Sequence, residues 1–426
     1  MTHLNQLSAT AVVAAITSGV CSAEDVTRAC LVRIEEREPV VEAFEYLDAA
    51  YAIEQAKVLD DGPVRGPLHG VPIGIKDCFE TFDMPTGWGT EFYAGRNTGR
   101  DAAIVTLMRN AGAVILGKTV TSELVAFWPG KTRNPHNPEH TPGVSSMGSA
   151  AGVADMMMPV GLATQSGGST VRPAAHCGVI GYKASHAELP TDGLMFLQPT
   201  CDTVGFMVRQ MEDAALMRKA LLGAAPATPR PDNSPPRIAM IRTPHWAEAE
   251  PITHTVIEEV SEKLRAAGAV IEEPALPGHF DVLTAAHLTI QYFEVAHWRV
   301  YEWDNHRDDI SEPMQEFIAE GCKTSFADYK QAQIIGAEAR AEFDTLFDTY
   351  DLVLTPSADG EAIKLAYPTG SSNFNRMWSL LHSPSANLPA ATGPQGLPVG
   401  VQVIGRKYQD DKFLADATWV NDRIST

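Results

Sequence analysis

Residues 141–182 read TPGVSSMGSAAGVADMMMPVGLATQSGGSTVRPAAHCGVIGY. Four textures follow one another here. A Gly/Ser loop, Gly143-Val-Ser-Ser-Met-Gly-Ser-Ala150, opens the stretch, and a run of small residues suited to a packed helix continues it. The apolar run 156–163 then has the length and composition of a buried strand, and its three methionines read as part of that strand. A second Gly/Ser loop, Thr164-Gln-Ser-Gly-Gly-Ser169, links the run to a helix-like segment starting near Ser169. A serine after two glycines at such a junction presents its hydroxyl at a sharp turn. The backbone N–H groups of Ser166, Gly167, Gly168 and Ser169 could there point together at a developing oxyanion. A plain structural turn accounts for the same residues.

Working outward, Val71, Ile73 and Ile75 alternate with small residues as a strand does. Residues 101–111 read as a helix capped by Gly112, and 113–116 as the next short buried strand. Strand, helix and strand in succession predict an α/β sheet core. Two helices open the chain, the second announced by the capping sequence Ser22-Ala-Glu-Asp25. Long helical patterns dominate about 210–350, broken by a strand at 238–241, and the Pro-rich stretch 226–236 is a connection. The sheet signal returns at 352–354 and 399–404. The expectation is one α/β domain over residues 1–426, with a large mixed β-sheet flanked by helices. Its catalytic core spans about 60–205 and 350–426, with a helical excursion at about 210–350.

Composition narrows the function. The 426 residues are 44% hydrophobic and 20% charged, enough for a large core. A formal charge of −20 repels phosphate backbones and anionic lipid, which argues against nucleic-acid and membrane partners. The apolar run 9–16 is preceded by no Lys or Arg, so it reads as an amphipathic helix and not as a signal peptide. Cysteines 21, 30, 78, 177, 201 and 322 are dispersed, with no Cys-x-x-Cys pair. They predict reduced, buried thiols in a cytoplasmic protein and no zinc site.

Two lysines need separate readings. Gly112-Ala-Val-Ile-Leu-Gly-Lys-Thr119 satisfies the pattern of a phosphate-binding loop. Such a loop needs free N–H groups in a flexible turn, whereas Ala-Val-Ile-Leu is strand sequence, so a strand with a Gly-Lys exit turn is the expectation. Lys76, in Gly70-Val-Pro-Ile-Gly-Ile-Lys-Asp77, ends an apolar strand. On the residues alone it is either a snorkelling or Asp77-paired lysine, or a desolvated amine able to act as a general base.

Together these segments resemble the amidase signature family. Its members carry G-V-P-x-x-x-K-D, a G-G-S-S-G-G-S-A loop and a G-T-D-x-G-G-S-I-R-x-P-A-x-x-C-G loop. Ser145 and Ser169 keep the family separation of 24 residues. Gly117-Lys-Thr119, Asn134-Pro-His-Asn-Pro138, Cys177-Gly-Val-Ile-Gly-Tyr-Lys183 and Gly396-Leu-Pro-Val-Gly-Val-Gln402 also look like family segments, so the likeness runs over nearly the whole chain. It implies Ser169 as nucleophile, Ser145 in a cis peptide as bridging serine, Lys76 as general base, and Ser146 as a support of the loop. It implies no metal and no cofactor, and leaves His136, His140 and His176 as loop or packing residues.

This sequence departs from the family pattern at several places. Gln165 replaces an aspartate and the arginine falls at Arg172, features that look like a branch with T-Q-x-x-G-S-x-x-R-P-A. Val144 and Met147 stand where glycines are usual, and Met147 is a candidate pocket residue with Leu124, Phe127 and Trp128. Core packing explains the last three equally well. The segment 378–387 is a candidate for the substrate channel. The expected activity is cleavage of a small-molecule amide, carbamate or urea-like C–N bond, by a chain compatible with a homodimer. A glutamine amidotransferase subunit needing partner chains and a catalytically impaired relative are the alternatives.

Overall fold

Pro72–Lys76 (β2) is buried at all five positions, as a central strand covered on both faces must be. It lies in a sheet of eleven strands, described here from a computed structural model covering residues 3–223, 230, 233–365 and 370–424. The others are β1 (Phe44–Leu47), β3 (Val114–Thr119), β4 (Val160–Gln165), β5 (Ile180–Lys183), β6 (Thr203–Val208) and β7 (Arg237–Met240). They are completed by β8 (Val270–Glu272), β9 (Leu352–Pro356), β10 (Ser385–Thr392) and β11 (Pro398–Ile404). The order is β1-β3-β2-β4-β6-β5-β10-β11-β9-β7-β8. β2 runs parallel to β3 and β4, β7 is parallel to β8 and β9, and the remaining pairs are antiparallel. The mixed sheet expected from sequence is thus the observed one, and strands from both ends of the chain complete it.

Helices cover the sheet and bury separate apolar clusters. Ser22 caps helix Ala23–Val41 in a reciprocal box with Asp25, as its sequence predicts. In the 210–350 region, helices Glu312–Lys323 and Phe326–Leu346 both pack on Leu283–Trp298, which also meets helix Asn373–Leu380. Among the described residues no helix is long and apolar enough to cross a membrane.

The structure corrects several local expectations. Gly117, Lys118 and Thr119 belong to β3 and form no exit turn. Met156 has φ +58° in the turn before β4, so the strand starts only at Val160; Met157 and Met158 are buried outside it. The helix expected near Ser169 is present and starts at Val171. β8 has no counterpart among the expected strands; its three positions are all at least partly exposed, an edge with no apolar alternation. Of the predicted connection 226–236, residues 226–229 and 231–232 lie outside the described ones.

Candidate active site

Because β2 is parallel to β3 and β4, all three strands deliver their C-terminal ends to one edge of the sheet. Lys76 is the last residue of β2 and is wholly buried. Its Nζ donates to Ser145 Oγ and to Thr164 Oγ1, each at 2.7 Å. Both partners are neutral hydroxyls. Burial therefore pulls the lysine from its ordinary 10.5 down to about 8, opposed by Cys78 and Asp202. The reading of Lys76 as an Asp77-paired residue fails, since Asp77 meets Lys118 instead, at 3.0 Å.

The loop carrying Ser145 is bound on several sides. Gly143 has φ +83°, and a Cβ there would stand 2.7 Å from Pro173 Cα, so only glycine fits. The next peptide, Val144–Ser145, is cis. Val144 itself is not left-handed, which removes the conflict its β-branched side chain posed in the sequence. Arg172 Nη2 donates to the Val144 carbonyl at 3.2 Å, while Nη1 reaches the Gly370 carbonyl at 2.7 Å. Ser146 Oγ donates to the Thr164 carbonyl at 3.2 Å and accepts from the Thr164 N–H at 3.3 Å, tying this loop to β4. Met147 is buried with Val120 and Val144 in a small cluster of its own.

The second loop is held by its flanks. Gln165 Oε1 accepts from the N–H groups of Thr170 and Val171, each at 3.0 Å. Its Nε2 donates to Ser379 Oγ at 3.0 Å, and Ser379 Oγ donates to the Gly167 carbonyl at 2.8 Å. Ser166 Oγ donates to Asp202, whose other oxygen accepts from the N–H groups of Leu197 and Gln198. A Cβ on Gly168 would stand 2.6 Å from Asn375 Oδ1 and 3.1 Å from Ser372 Cβ, so the loop packs closely against the start of helix Asn373–Leu380. The N–H groups of Ser166, Gly167, Gly168 and Ser169 donate to no acceptor among the described residues. Residues 161–168 are buried and Ser169 alone is partly exposed.

The candidate pocket residues scatter. Leu124 is wholly buried core, with φ +47°. Phe127 is half-buried and sets its ring edge-on to Phe317, centroids 4.8 Å apart. Trp128 is exposed. In the segment 378–387 Trp378 is fully buried among core residues. What lies against the second loop is helix Asn373–Leu380, through Asn375, Arg376 and, from the segment 378–387, Ser379, together with His287, whose Nε2 meets the Ser166 carbonyl at 2.9 Å. The sequence held one pointer to that helix. Gln402, in the segment ending Val-Gly-Val-Gln, donates to the carbonyls of Pro356 and Phe374, each at 2.7 Å, and so fixes the start of the helix.

Solved structures share this fold over nearly its whole length. An amidase is 26% identical with a TM-score of 0.91, covering 98% of this chain and 100% of its own. The peptide amidase of Stenotrophomonas maltophilia is 27% identical with a TM-score of 0.85, covering 99% and 97%. The class these define is that of hydrolases acting on carbon–nitrogen bonds. The chain belongs to the amidase family, whose model matches residues 25–414. Among curated relatives, a subunit of the glutamyl-tRNA(Gln) amidotransferase of Roseiflexus castenholzii is 30% identical, covering 97% of this chain and 95% of its own.

Proposed function

We propose that the chain is an amidohydrolase that cleaves a small-molecule carboxamide, or a related carbamate or urea-like bond, through an acyl-enzyme on Ser169. The observation that carries this reading is Lys76: a fully buried amine with hydroxyl partners only, 2.7 Å from Ser145. At a pKa of about 8 its neutral form is populated near neutral pH and can take a proton.

Ser169 Oγ attacks the carbonyl carbon and passes its proton to Ser145 Oγ, as Ser145 passes its own to neutral Lys76. The oxyanion is met by the N–H groups of the 166–169 turn. Collapse of the tetrahedral species breaks the C–N bond, and the leaving amine takes the proton back along the same relay. Water then attacks the acyl carbon, losing a proton to the relay, and releases the carboxylate with Ser169 restored.

The test is release of amine or ammonia from a panel of amides, carbamates and glutamine by the purified chain, with Ser169→Ala as control. Turnover that vanishes in the variant supports the reading. Turnover unchanged in the variant overturns it. The second reading, one component of an amidotransferase, is supported by the likeness to curated amidotransferase chains along nearly the whole sequence. It predicts activity on glutamine that appears only with partner chains. An impaired site predicts that a fluorophosphonate probe leaves Ser169 unlabelled, and the backbone at Val144 gives it no support.

A further inference from the structure

Arg376, in helix Asn373–Leu380, is 7% exposed and lacks the carboxylate partner that the buried guanidinium groups of Arg218 and Arg299 possess. Arg218 meets Glu188 at 2.6 Å, and Arg299 meets Glu302 at 3.5 Å. Arg376 Nη1 donates to Gln291 Oε1 at 3.0 Å and to His287 Nδ1 at 3.2 Å. Both partners are neutral. The N–H of His287 Nε2 is committed to the Ser166 carbonyl, which leaves Nδ1 as the acceptor, and burial beside Arg376 pushes this imidazole down to about 3. No carboxylate pairs with Arg376 among the described residues, while Arg172 adds repulsion.

The side chain also faces the right place. A Cβ on Gly167 would stand 3.5 Å from Arg376 Nη1, and partly exposed Ser169 follows two residues later. Nε and Nη2 donate to no described residue, and neither is among the atoms closed off from solvent. A buried charge without a counter-ion is costly, and two adjacent guanidinium donors form the fork that fits both oxygens of a carboxylate. We propose that Arg376 binds a carboxylate of the substrate, so that the preferred substrates are amides bearing a carboxylate a few bonds from the scissile carbonyl. This rests on the amidohydrolase reading and adds a specificity residue to it. The anchor is rigid, because His287 ties the guanidinium to the carbonyl of Ser166, the first residue of the turn that bears Ser169.

The experiment compares malonamate, succinamate and glutaramate with the diamides of equal length, for the wild type, Arg376→Gln and Arg376→Lys. Expected is a preference of roughly tenfold or more in kcat/KM for at least one monoamide, expressed mainly in KM. Arg376→Gln loses that preference, its kcat/KM falling much further on the monoamide than on the diamide, and Arg376→Lys, which keeps the charge without the fork, retains part of it. A merely structural arginine would lower both substrates alike. Equal use of monoamide and diamide by the wild type, or a preference surviving in Arg376→Gln, overturns the proposal and leaves the hydrolase standing. Thermal unfolding with malonate, succinate or glutarate reads the anion site without turnover. A rise in melting temperature seen in the wild type, absent with succinamide and lost in Arg376→Gln, supports the site even if no amide is cleaved. Equal shifts in wild type and Arg376→Gln overturn it.

Discussion

Two lysines stand fully buried at the ends of neighbouring parallel strands, Lys76 on β2 and Lys118 on β3, with Lys118 in register beside Ile75. Both come from segments with a glycine two residues or less ahead, and both look alike in sequence. Their surroundings differ above all in one carboxylate. Lys118 meets the Asp77 carboxylate at 3.0 Å and donates to the Phe79 carbonyl at 2.9 Å and Thr86 Oγ1 at 2.7 Å. Lys76 has only the hydroxyls of Ser145 and Thr164. Burial lowers both amines, but for Lys118 the carboxylate opposes the shift most strongly, whereas Lys76 falls to about 8. Lys118 pairs with Ile75 and Lys76 with Thr119, so the two lysines leave opposite faces of the sheet, and Asp77, in the turn after β2, meets Lys118. One alternation thus makes one lysine an ion-paired brace and leaves the other a titratable amine.

The largest effects should separate chemistry from brace. Ser169→Ala should remove acylation altogether, leaving activity at least about 10⁴-fold down. Lys76→Met should cost about 10²–10⁴ in kcat/KM while the protein keeps its melting temperature, since an amine with no counter-ion leaves no charge stranded. Lys118→Met should do the reverse. It leaves Asp77 buried and unpaired, a loss of about 3–5 kcal/mol in unfolding free energy, with the surviving folded fraction still active. Adding Asp77→Asn to Lys118→Met should recover most of that stability. Denaturant melts alongside kcat/KM for these four variants decide the matter: a destabilised but active Lys76→Met would erase the contrast.

Much of this contrast is readable in the sequence. Lys76, Ser145 and the Gly-Gly-Ser turn fall within short contiguous motifs, and a strand ending in lysine places its amine at the sheet edge whatever the distant chain does. The partner of Asp77 is not readable, because it depends on the register of β2 against β3 across about forty residues. Arg376 and His287 are out of reach for the same reason. Each sits in an unremarkable helix, and only packing separated by more than a hundred residues brings them to Ser166 and Gly167. Leu124 and Phe127 fail differently: apolar residues after a strand look the same whether they line a pocket or fill a core.

The finest test concerns the pH dependence of Lys76. Its neutral form is the base, so kcat/KM should climb with pH and level off above a midpoint near about 8. An ordinary lysine would still be climbing two units higher. Thr164→Val keeps the shape of the side chain but removes the hydroxyl that accepts from the ammonium at 2.7 Å. The protonated form loses a hydrogen bond to a charged group, worth about 1.5–3 kcal/mol. At 1.36 kcal/mol per unit, and with Ser145 able to take part of the load, the midpoint should fall by about one unit. The plateau itself should change little, because Thr164 is no member of the relay from Ser169 through Ser145. A midpoint that rises in Thr164→Val would mean that the hydroxyl favours the neutral amine, and the contrast between the two lysines would then rest on burial alone.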